Sequence, residues 1–273
     1  STQLCSSAAS DVYKRQRILR LAGYMQATKH YKLFGHVHDI PSKLSLMLFV
    51  DADFSGDIED TKSTNGGLLC LVGPDTWFPI AWVSKEQTST SRSTTEAEVT
   101  ALATSLFSEA IPMIELWSTI LGREIDLYIM EDNQATILVL KKGYSQKLRH
   151  INRTQKIHLG SVKEEIANVF LEYVYTEFQA ADIFTKELEP AKWQNAMDLL
   201  GMHTIDNLKP SPLSVHYREP TAASKKAAKP TTAQNKASVG GATATVRTCS
   251  TKVTAMPAFN RHPGYTTETS SLE

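Results

Sequence analysis

The sequence predicts an α/β fold with a mixed five-stranded sheet and helices on both of its faces. Two observations predict it. Three apolar segments joined by short turns come first, and short turns make neighbouring strands antiparallel. Two further apolar segments are separated by helical patterns, and right-handed crossovers join such strands into parallel pairs. The expected domain therefore has three antiparallel strands followed by a parallel βαβ arrangement.

The first three predicted strands are recognised by their apolar runs and turn signals. Residues 45–51 (SLMLFVD) are almost continuously apolar, which is typical of a central strand covered on both faces. Segments 66–72 and 77–83 are separated by a Gly-Pro-Asp turn at 73–75, which indicates a hairpin. Trp82, in the third segment, is expected to lie in the core.

A long helical pattern follows and begins at a capping box. Ser93 and Glu96 have the spacing at which each side chain can accept from a backbone N–H group of the first turn. Pro112 lies inside the pattern and is expected to kink the helix or divide it in two. Apolar residues at spacings of three and four keep one face apolar: Val99, Leu102, Leu106, Ala110, Met113 and Trp117.

The remaining predicted elements alternate between strands and helices. The fourth and fifth strands are expected over 125–130 and 169–174. The helices are expected from Asp132 to Leu140, from the basic stretch to Ile166, over 180–186, and over 190–200.

Composition and charge are those of an ordinary soluble domain. The chain is 41% hydrophobic and 21% charged, and it lacks the run of about 18 apolar residues that a membrane span requires. Lys and Arg balance Asp and Glu at 29 each, so net charge gives no support to nucleic-acid binding. Residues 221–273 nevertheless hold seven Lys/Arg and two Glu, a net charge of +5. Cys5, Cys70 and Cys249 show neither metal nor disulfide spacing, which favours a reducing compartment.

The folded domain is expected over residues 44–202. Residues 1–16 are interpreted as a non-native leader, because part of this segment resembles the translation of a transposase adapter used in sequencing libraries. A natural, disordered N-terminus is the alternative. Residues 17–43 start with a helical pattern that ends at Leu33 and continue as a linker. Residues 203–273 are rich in Pro, Ala, Thr, Ser and Lys and are expected to form a disordered, basic, low-complexity tail.

Acidic residues fall at the ends of the predicted elements. The candidates are Asp51 ending the first strand, Asp132 after the fourth, Asp182 after the fifth, and Glu98 early in the long helix. Because ligands of α/β sheets bind beyond the carboxyl ends of the strands, Asp51 and Asp132 are expected to meet there. All-oxygen ligands favour Mg²⁺ or Mn²⁺, and two such ions can hydrolyse a phosphodiester without a protein nucleophile. Each acid by itself is more often a turn, cap or helix-dipole residue.

At these residues the sequence resembles the ribonuclease H domain of copia-type retrotransposon Pol polyproteins. The resemblance implies a ribonuclease H-like fold and identifies residues 17–43 as the end of the reverse transcriptase, which makes the chain a fragment of a polyprotein. It is carried by blocks that follow the family's order: 50–57, 62–66, 81–87, 93–98, 131–135, 149–151 and 181–186. The departures, which leave the four acids unchanged, are Phe54, Val99, Arg149 and Glu187.

The resemblance implies an enzyme that hydrolyses the RNA strand of RNA–DNA hybrids during reverse transcription. Its metal-binding and catalytic acids fall on Asp51, Glu98, Asp132 and Asp182. Asp51 would bridge two Mg²⁺ ions (Mn²⁺ being the alternative), with Glu98 and Asp132 on one ion and Asp182 on the other. The implied partner is the reverse transcriptase of the same polyprotein, without a membrane. The implied location is the cytoplasm, in a virus-like particle, with the nucleus as a second compartment.

Substrate contacts are expected mostly at phosphate and sugar, because the enzyme must cut without sequence preference. Asn133 is the foremost candidate for such a contact. His150 is a second candidate contact, and it is also the candidate for the mobile histidine that aids product release in some ribonucleases H. A solvated loop histidine is the alternative. The basic stretch 141–163 is either a backbone-binding surface or a solvated helix face. The candidate contacts are Ser84, Gln87, Ser93, Asn133, Gln134, Arg149 and His150, while Asp53 and Glu96 are assigned supporting roles only.

The sequence alone leaves two other functions open. A decayed element would leave a domain that serves only as a structural or nucleic-acid-binding connector, but drift has no reason to spare four acids. A transposase or integrase core of the same fold would use three acids ending in Glu, normally with a His/Cys zinc module, and the sequence contains neither pattern. An active metal-dependent endonuclease is therefore the leading prediction.

Overall fold

The computed structural model describes residues 2–54 and 61–207. Its strands are β1 (Lys32–Leu33), β2 (His36–Val37), β3 (Ser45–Asp53), β4 (Thr64–Gly73), β5 (Thr76–Glu86), β6 (Leu127–Glu131), β7 (Phe170–Tyr173) and β8 (Met202–His203). Its helices are α1 (Thr2–Thr28), α2 (Thr94–Ser105), α3 (Ile111–Leu121), α4 (Gln134–Lys142), α5 (Ile151–Thr154), α6 (Leu159–Ile166) and α7 (Pro190–Leu200). Short 3₁₀ turns occupy Pro41–Lys43, Thr176–Phe178, Asp182–Phe184 and Ile205–Asn207.

The main sheet has the strand order β2-β5-β4-β3-β6-β7. β4 pairs antiparallel with both β3 and β5, whereas β6 is parallel to β3 and β7 is parallel to β6. This confirms the predicted arrangement of three antiparallel strands followed by parallel ones. The sheet has six strands rather than five, because the two-residue β2 pairs with the start of β5. So short a strand leaves no periodic pattern in the sequence.

Helices cover both faces of the sheet, as predicted. Alternation along β3 directs Leu46, Leu48 and Val50 to one face and Met47 and Phe49 to the other. The first face packs against helix residues that include Val99, Leu102, Leu140 and Val162. The second face packs against Leu199 and Leu200 of α7 and the aromatic residues Trp77, Tyr128 and Phe170. β3 is thus buried on both faces, which explains its continuous apolar run.

The long helical pattern is divided in the structure, as Pro112 predicts. A π-helical turn, Leu106–Ala110, separates α2 from α3, and Pro112 lies in the first turn of α3. Ser93 caps α2, its side chain accepting from the backbone N–H of Glu96 at 3.2 Å. The Glu96 carboxylate accepts from the backbone N–H of Arg92 at 3.0 Å, one residue before the donor that a capping box uses.

By length and composition, the helical segment Thr94–Leu121 is apolar enough to cross a membrane, and 44% of its apolar window is buried. Its first part, α2, contributes Val99, Leu102 and Ala103 to the core beside the sheet. Core helices of this kind have the same composition as a membrane span.

Three predictions about local structure are wrong. α1 begins at Thr2 rather than Arg17, because residues 2–22 contain no Gly or Pro that would stop a helix. Segment 180–186 forms only the 3₁₀ turn Asp182–Phe184, because contacts with β4 replace a regular helix there. Trp82 is 59% exposed rather than buried, since the second half of β5 extends beyond the packed core.

The structure also differs from the sequence-based expectation at the end of the first long strand and at the start of the predicted tail. Asp53 is the last residue of β3 and does not lie in the following loop. Residues 203–207 of the predicted tail are structured, with His203 buried in β8 opposite Lys32 of β1. The rest of the predicted tail, 208–273, lies outside the described residues. The interpretation of residues 1–16 as a non-native leader stays a prediction.

The aromatic core beneath α7 should dominate stability. The Phe49 side chain is fully buried, and its ring centroid lies 6.1 Å from that of Trp77 in an edge-to-face arrangement. Phe49→Ala is expected to lower the free energy of unfolding by about 3–5 kcal/mol, because it leaves a cavity between the two rings. Urea denaturation followed by circular dichroism measures this. Leu138→Ala, at a 69% exposed position of α4, should change the same quantity by less than about 0.5 kcal/mol.

Candidate metal centre

Two aspartates lie side by side beyond the parallel pair of strands at the centre of the sheet. Phe49 of β3 is paired with Met130 of β6, so Asp51 and Asp132 each follow two residues further along neighbouring strands. Asp51 is 2% exposed and Asp132 is partly buried. The predicted meeting of these two acids at one sheet edge is therefore present in the structure.

Glu98 reaches the same edge because α2 approaches the sheet closely. Ala97 and Ala101 of α2 are buried against Ala52, the residue after Asp51. These small side chains allow the helix to pack near the end of β3. A Cβ added to Gly67 of β4 would lie 2.5 Å from the Ser105 hydroxyl, so the same helix also needs glycine on the neighbouring strand. Glu98, next to Ala97, is thereby carried to the carboxyl end of β3.

Asp182 is brought in by a loop anchored on β3 and β4. The Gln179 side chain donates to the backbone carbonyl of Val50 at 2.9 Å, in a buried hydrogen bond. Gly66 lies beneath the following turn, where an added Cβ would be 2.4 Å from a methyl carbon of Thr185 and 3.0 Å from the carbonyl oxygen of Ala181. This close approach, which only glycine permits, holds Asp182 beside Asp51.

The acids form two groups in which one ligand atom from each residue lies within 4.8 Å of the others. The first group is Asp51, Asp132 and Asp182, and the second is Glu98, Glu131 and Asp132. All four acids predicted from the sequence are included. Glu131 was not predicted as a site residue, although the alternation Leu127, Ile129, Glu131 along β6 could have indicated its direction.

Crowding and burial raise the pKa values of four of these carboxylates, those of Glu98, Glu131, Asp132 and Asp182. Burial raises the pKa of Glu98 to about 10, with further contributions from the charges of Glu131, Asp51 and Asp132. Burial and the neighbouring Asp51 raise the pKa of Asp182 to about 6. Burial is also the main reason that the pKa values of Asp132 and Glu131 lie above their ordinary values. The centre therefore favours a bound positive charge.

Lys186 supplies one positive charge within the first group. Its Nζ atom lies 3.3 Å from a carboxylate oxygen of Asp51 and 3.0 Å from one of Asp182. Burial would lower the pKa of Lys186, but the two aspartates raise it above its ordinary value. The Thr185 hydroxyl also donates to Asp51. Sequence reasoning missed both residues as parts of the site.

Among the described residues, no lysine or arginine is bonded to the second group, although the charge of Lys186 is near enough to lower the pKa of Glu98 and Asp132. The donor atoms of this group suit a hard divalent cation. Glu98 Oε2 and Glu131 Oε2 are buried and have no hydrogen-bond partner among the described residues. All the candidate ligands are carboxylate oxygens, the donors preferred by Mg²⁺ and Mn²⁺. The residues present therefore fit a divalent metal centre, and an uncompensated carboxylate cluster would be costly without one.

No protein-family model matches the chain. Similar proteins are retrovirus-related Pol polyproteins from transposons: RE1 and RE2 of Arabidopsis thaliana, 29% identical over 70% and 31% identical over 68% of this chain, and TNT 1-94 of Nicotiana tabacum, 32% identical over 57%. The chain spans 11–12% of the length of these relatives.

Two solved structures are also similar to the chain. One is LC11-RNase H1 isolated from compost, with a TM-score of 0.35 and 14% identity, covering 52% of this chain and 92% of that one. The other is the N-terminal RNase H domain of rv2228c from Mycobacterium tuberculosis, with a TM-score of 0.36 and 13% identity, covering 56% and 99%.

The predicted substrate residues of the chain occupy different environments. Gln87 is 2% exposed, and its amide donates to Asn65 at 2.7 Å and to the Ala97 carbonyl at 3.0 Å. The Ser84 hydroxyl donates to the backbone carbonyl of Phe184 at 2.7 Å. Gln87 thus supports the start of α2, whereas Ser84 supports the loop that carries Asp182.

The candidates on the other side of the centre are more accessible. Asn133 caps α4, its side chain accepting from the Thr136 N–H at 3.1 Å, and remains partly exposed beside Asp132. Gln134 and Arg149 are exposed. The charged residues of the basic stretch are exposed as well: Lys141, Lys142, Lys147, Arg149, Arg153, Lys156 and Lys163. All seven cationic side chains of this stretch are therefore exposed to solvent.

His150 is held by an acid outside the two metal-ligand groups. Its Nε2 lies 3.0 Å from the buried Glu96 carboxylate, which points away from Glu98 as the helix geometry requires. Gln155 donates to the Ser89 carbonyl at 2.9 Å, so further hydrogen bonds join this segment to the loop before α2. His150 is thus partly buried and contacts Glu96 in this structure, and Glu96 contributes this contact rather than a metal-ligand atom.

Removing the ammonium group of Lys186 should change both the stability of the metal-free protein and its stabilisation by Mg²⁺. Lys186→Met is expected to lower the melting temperature in EDTA by several degrees, because Asp51 and Asp182 lose their counter-charge. The same variant should gain more stability than the wild type on addition of Mg²⁺. Melting curves with and without Mg²⁺ measure both quantities. A Lys186→Met protein that gains less from Mg²⁺ would contradict competition between the ammonium group and a bound cation.

Proposed function

We propose that the chain is the ribonuclease H domain of a copia-type retrotransposon Pol polyprotein, which hydrolyses the RNA strand of RNA–DNA hybrids with divalent metal. The observation that carries this proposal is the convergence of Asp51, Glu98, Asp132 and Asp182, from separate elements, at one sheet edge. The homology to transposon Pol polyproteins supports the same function, because reverse transcription by such elements produces RNA–DNA hybrids.

The carboxylates would act as metal ligands rather than as nucleophiles. Asp51, Asp132 and Asp182 would hold one Mg²⁺ ion, and Glu98 with Asp132 would hold part of a second site. When bound, two such ions activate a water molecule and stabilise the leaving oxygen of an in-line phosphodiester displacement. The buried position of Asp51 and Glu98 excludes solvent from one side of the centre and fixes the ligand geometry.

The protein surface around the acids would position the hybrid. Asn133 lies next to Asp132 at the start of α4 and is proposed to contact a 2′-hydroxyl, the group that distinguishes RNA from DNA. Gln134, Arg149 and the exposed basic run are proposed to contact the phosphate backbone without reading sequence. Ser84 and Gln87 would contribute indirectly, by holding the loops that present the acids.

The proposal also includes the setting in which the domain works. The reverse transcriptase of the same polyprotein would be the partner that grips the hybrid, in a cytoplasmic virus-like particle and in the nucleus. The chain spans a small share of its relatives' length, which agrees with one domain of a larger protein.

Cleavage of a defined hybrid tests this function directly. An RNA–DNA hybrid with an end-labelled RNA strand, incubated with the full chain and Mg²⁺, is expected to yield short RNA fragments while its DNA strand stays intact. EDTA should abolish the cleavage, and RNA–RNA and DNA–DNA duplexes of the same sequence should not be cut. Binding of the hybrid without cleavage in either Mg²⁺ or Mn²⁺ would instead support the connector function of a decayed element.

A further inference from the structure

Glu131 is a carboxylate of the centre that does not belong to the four acids implied by the resemblance. It is the last residue of β6 and is fully buried. The alternation of the strand puts it on the same face as Leu127 and Ile129, which pack in the core cluster that contains Val99 and Leu102 of α2. The Glu131 side chain therefore extends toward the helix that carries Glu98.

The hydrogen bonds of Glu131 leave one oxygen free. Its Oε1 atom accepts from the backbone N–H of Asn133 at 3.1 Å, which fixes the carboxylate plane. Its Oε2 atom has no partner among the described residues, and the same is true of Oε2 of Glu98. Buried carboxylate oxygens without partners are costly, and a cation bound between them would satisfy both.

We propose that Glu131 is a metal ligand that, together with Glu98 and Asp132, lines one of the two cation sites of the centre. This inference rests on the proposed function, because it assigns further ligands within the same metal centre. One oxygen from each residue lies within 4.8 Å of the others, close to the separation of about 4 Å between ligands on opposite sides of a Mg²⁺ ion. Small side-chain rotations would bring all of them onto one ion.

The proposed site shares one carboxylate with the group that contains Asp51 and Asp182. Asp132 belongs to both groups, so it would contact both ions. Glu131 adds a third carboxylate to the group of Glu98 and Asp132.

The positions of the charges also predict the order in which the two sites fill. Lys186 neutralises part of the charge on Asp51 and Asp182, and its Nζ atom lies within 3.3 Å of both. The group of Glu98, Glu131 and Asp132 has no cationic side chain bonded to it among the described residues. The first divalent ion is therefore expected to bind at the Glu131 site, because an ion that binds beside Asp51 and Asp182 must displace the Lys186 ammonium group.

Mn²⁺ binding to the full chain tests the inference without reference to cleavage. The signal of free Mn²⁺ in electron paramagnetic resonance counts bound ions and gives their affinities. The wild type is expected to bind two ions, and Glu131→Gln is expected to weaken the tighter site at least tenfold. The variant keeps the acceptor for the Asn133 N–H and removes only the charge. Glu172→Gln, which alters an exposed acid on neighbouring β7, is the matched control and should bind like the wild type.

The outcomes separate the inference from the function on which it rests. Two ions bound by Glu131→Gln with wild-type affinity would overturn the role of Glu131 alone. A wild type that binds no Mn²⁺ would overturn the metal centre and the proposed function together. Glu131→Asp, which keeps the charge on a shorter side chain, should bind the first ion more weakly than the wild type and more tightly than Glu131→Gln. Should Glu131→Gln not fold, wild-type affinity in Glu131→Asp would overturn the inference.

Discussion

Asp132→Asn is expected to reduce cleavage of an RNA–DNA hybrid in Mg²⁺ by about a thousandfold or more. Asp132 is the only residue common to the two carboxylate groups found among the described residues, so its loss affects both proposed ions. Metal ligands contribute several kcal/mol to the stabilisation of the transition state, and each 1.36 kcal/mol or so corresponds to a factor of ten in rate. Single-turnover cleavage of end-labelled RNA measures the loss.

The same substitution should leave the fold intact. The Thr176 hydroxyl donates to Asp132 at 3.0 Å, and an asparagine carbonyl can accept that hydrogen bond. Asparagine also removes a negative charge that lies near Asp51. The melting temperature of Asp132→Asn in EDTA is therefore expected to equal or exceed that of the wild type. A variant that cleaves at the wild-type rate would contradict the metal-ligand role, and Glu172→Gln serves as the control with full activity.

The elements that carry the site could be predicted because each has a strong local signal. The buried run before Asp51, the capping pair at Ser93 and Glu96, and Pro112 within the long helix all have the structural consequences that their patterns indicate. The convergence of Asp51 with Asp132 followed from the parallel pairing of their strands. Predictions based on period and topology were therefore reliable for the centre of the sheet.

The missed features depend on tertiary contacts that leave no local pattern. Lys186 reaches the acids because the loop over Gly66 turns its side chain inward, and nothing in the residue order distinguishes it from a solvated lysine. Gln87 was predicted as a substrate contact, and the structure buries it beside the start of α2. Trp82 looked like a core aromatic but lies beyond the helices that would cover it. Whether these residues are buried or exposed depends on which element packs over them. The periodicity of the sequence does not specify that packing.

Without metal, the protein is expected to lose stability as the pH rises from 5 to 8, and Mg²⁺ is expected to reverse that trend. The raised pKa of Asp182, about 6, makes a contribution that is present below its ordinary value of 3.8 and lost as the pH passes 6. Glu98, whose pKa rises from 4.5 to about 10, loses its contribution progressively across the same interval. Both groups resist ionisation when folded, so higher pH favours the unfolded chain.

Divalent cations bind the ionised carboxylates, so their stabilising effect should grow with pH as protons are released. At a concentration of Mg²⁺ about 100 times the dissociation constant, each site adds about 2.7 kcal/mol, and two sites should raise the melting temperature by about 10–20 °C at pH 8. Melting curves in EDTA and in Mg²⁺ at pH 5, 6, 7 and 8 measure both trends. Glu98→Gln should flatten the EDTA profile and halve the Mg²⁺ effect. A Mg²⁺ effect that is equal at pH 5 and pH 8 would show that the acids with raised pKa do not bind the ions.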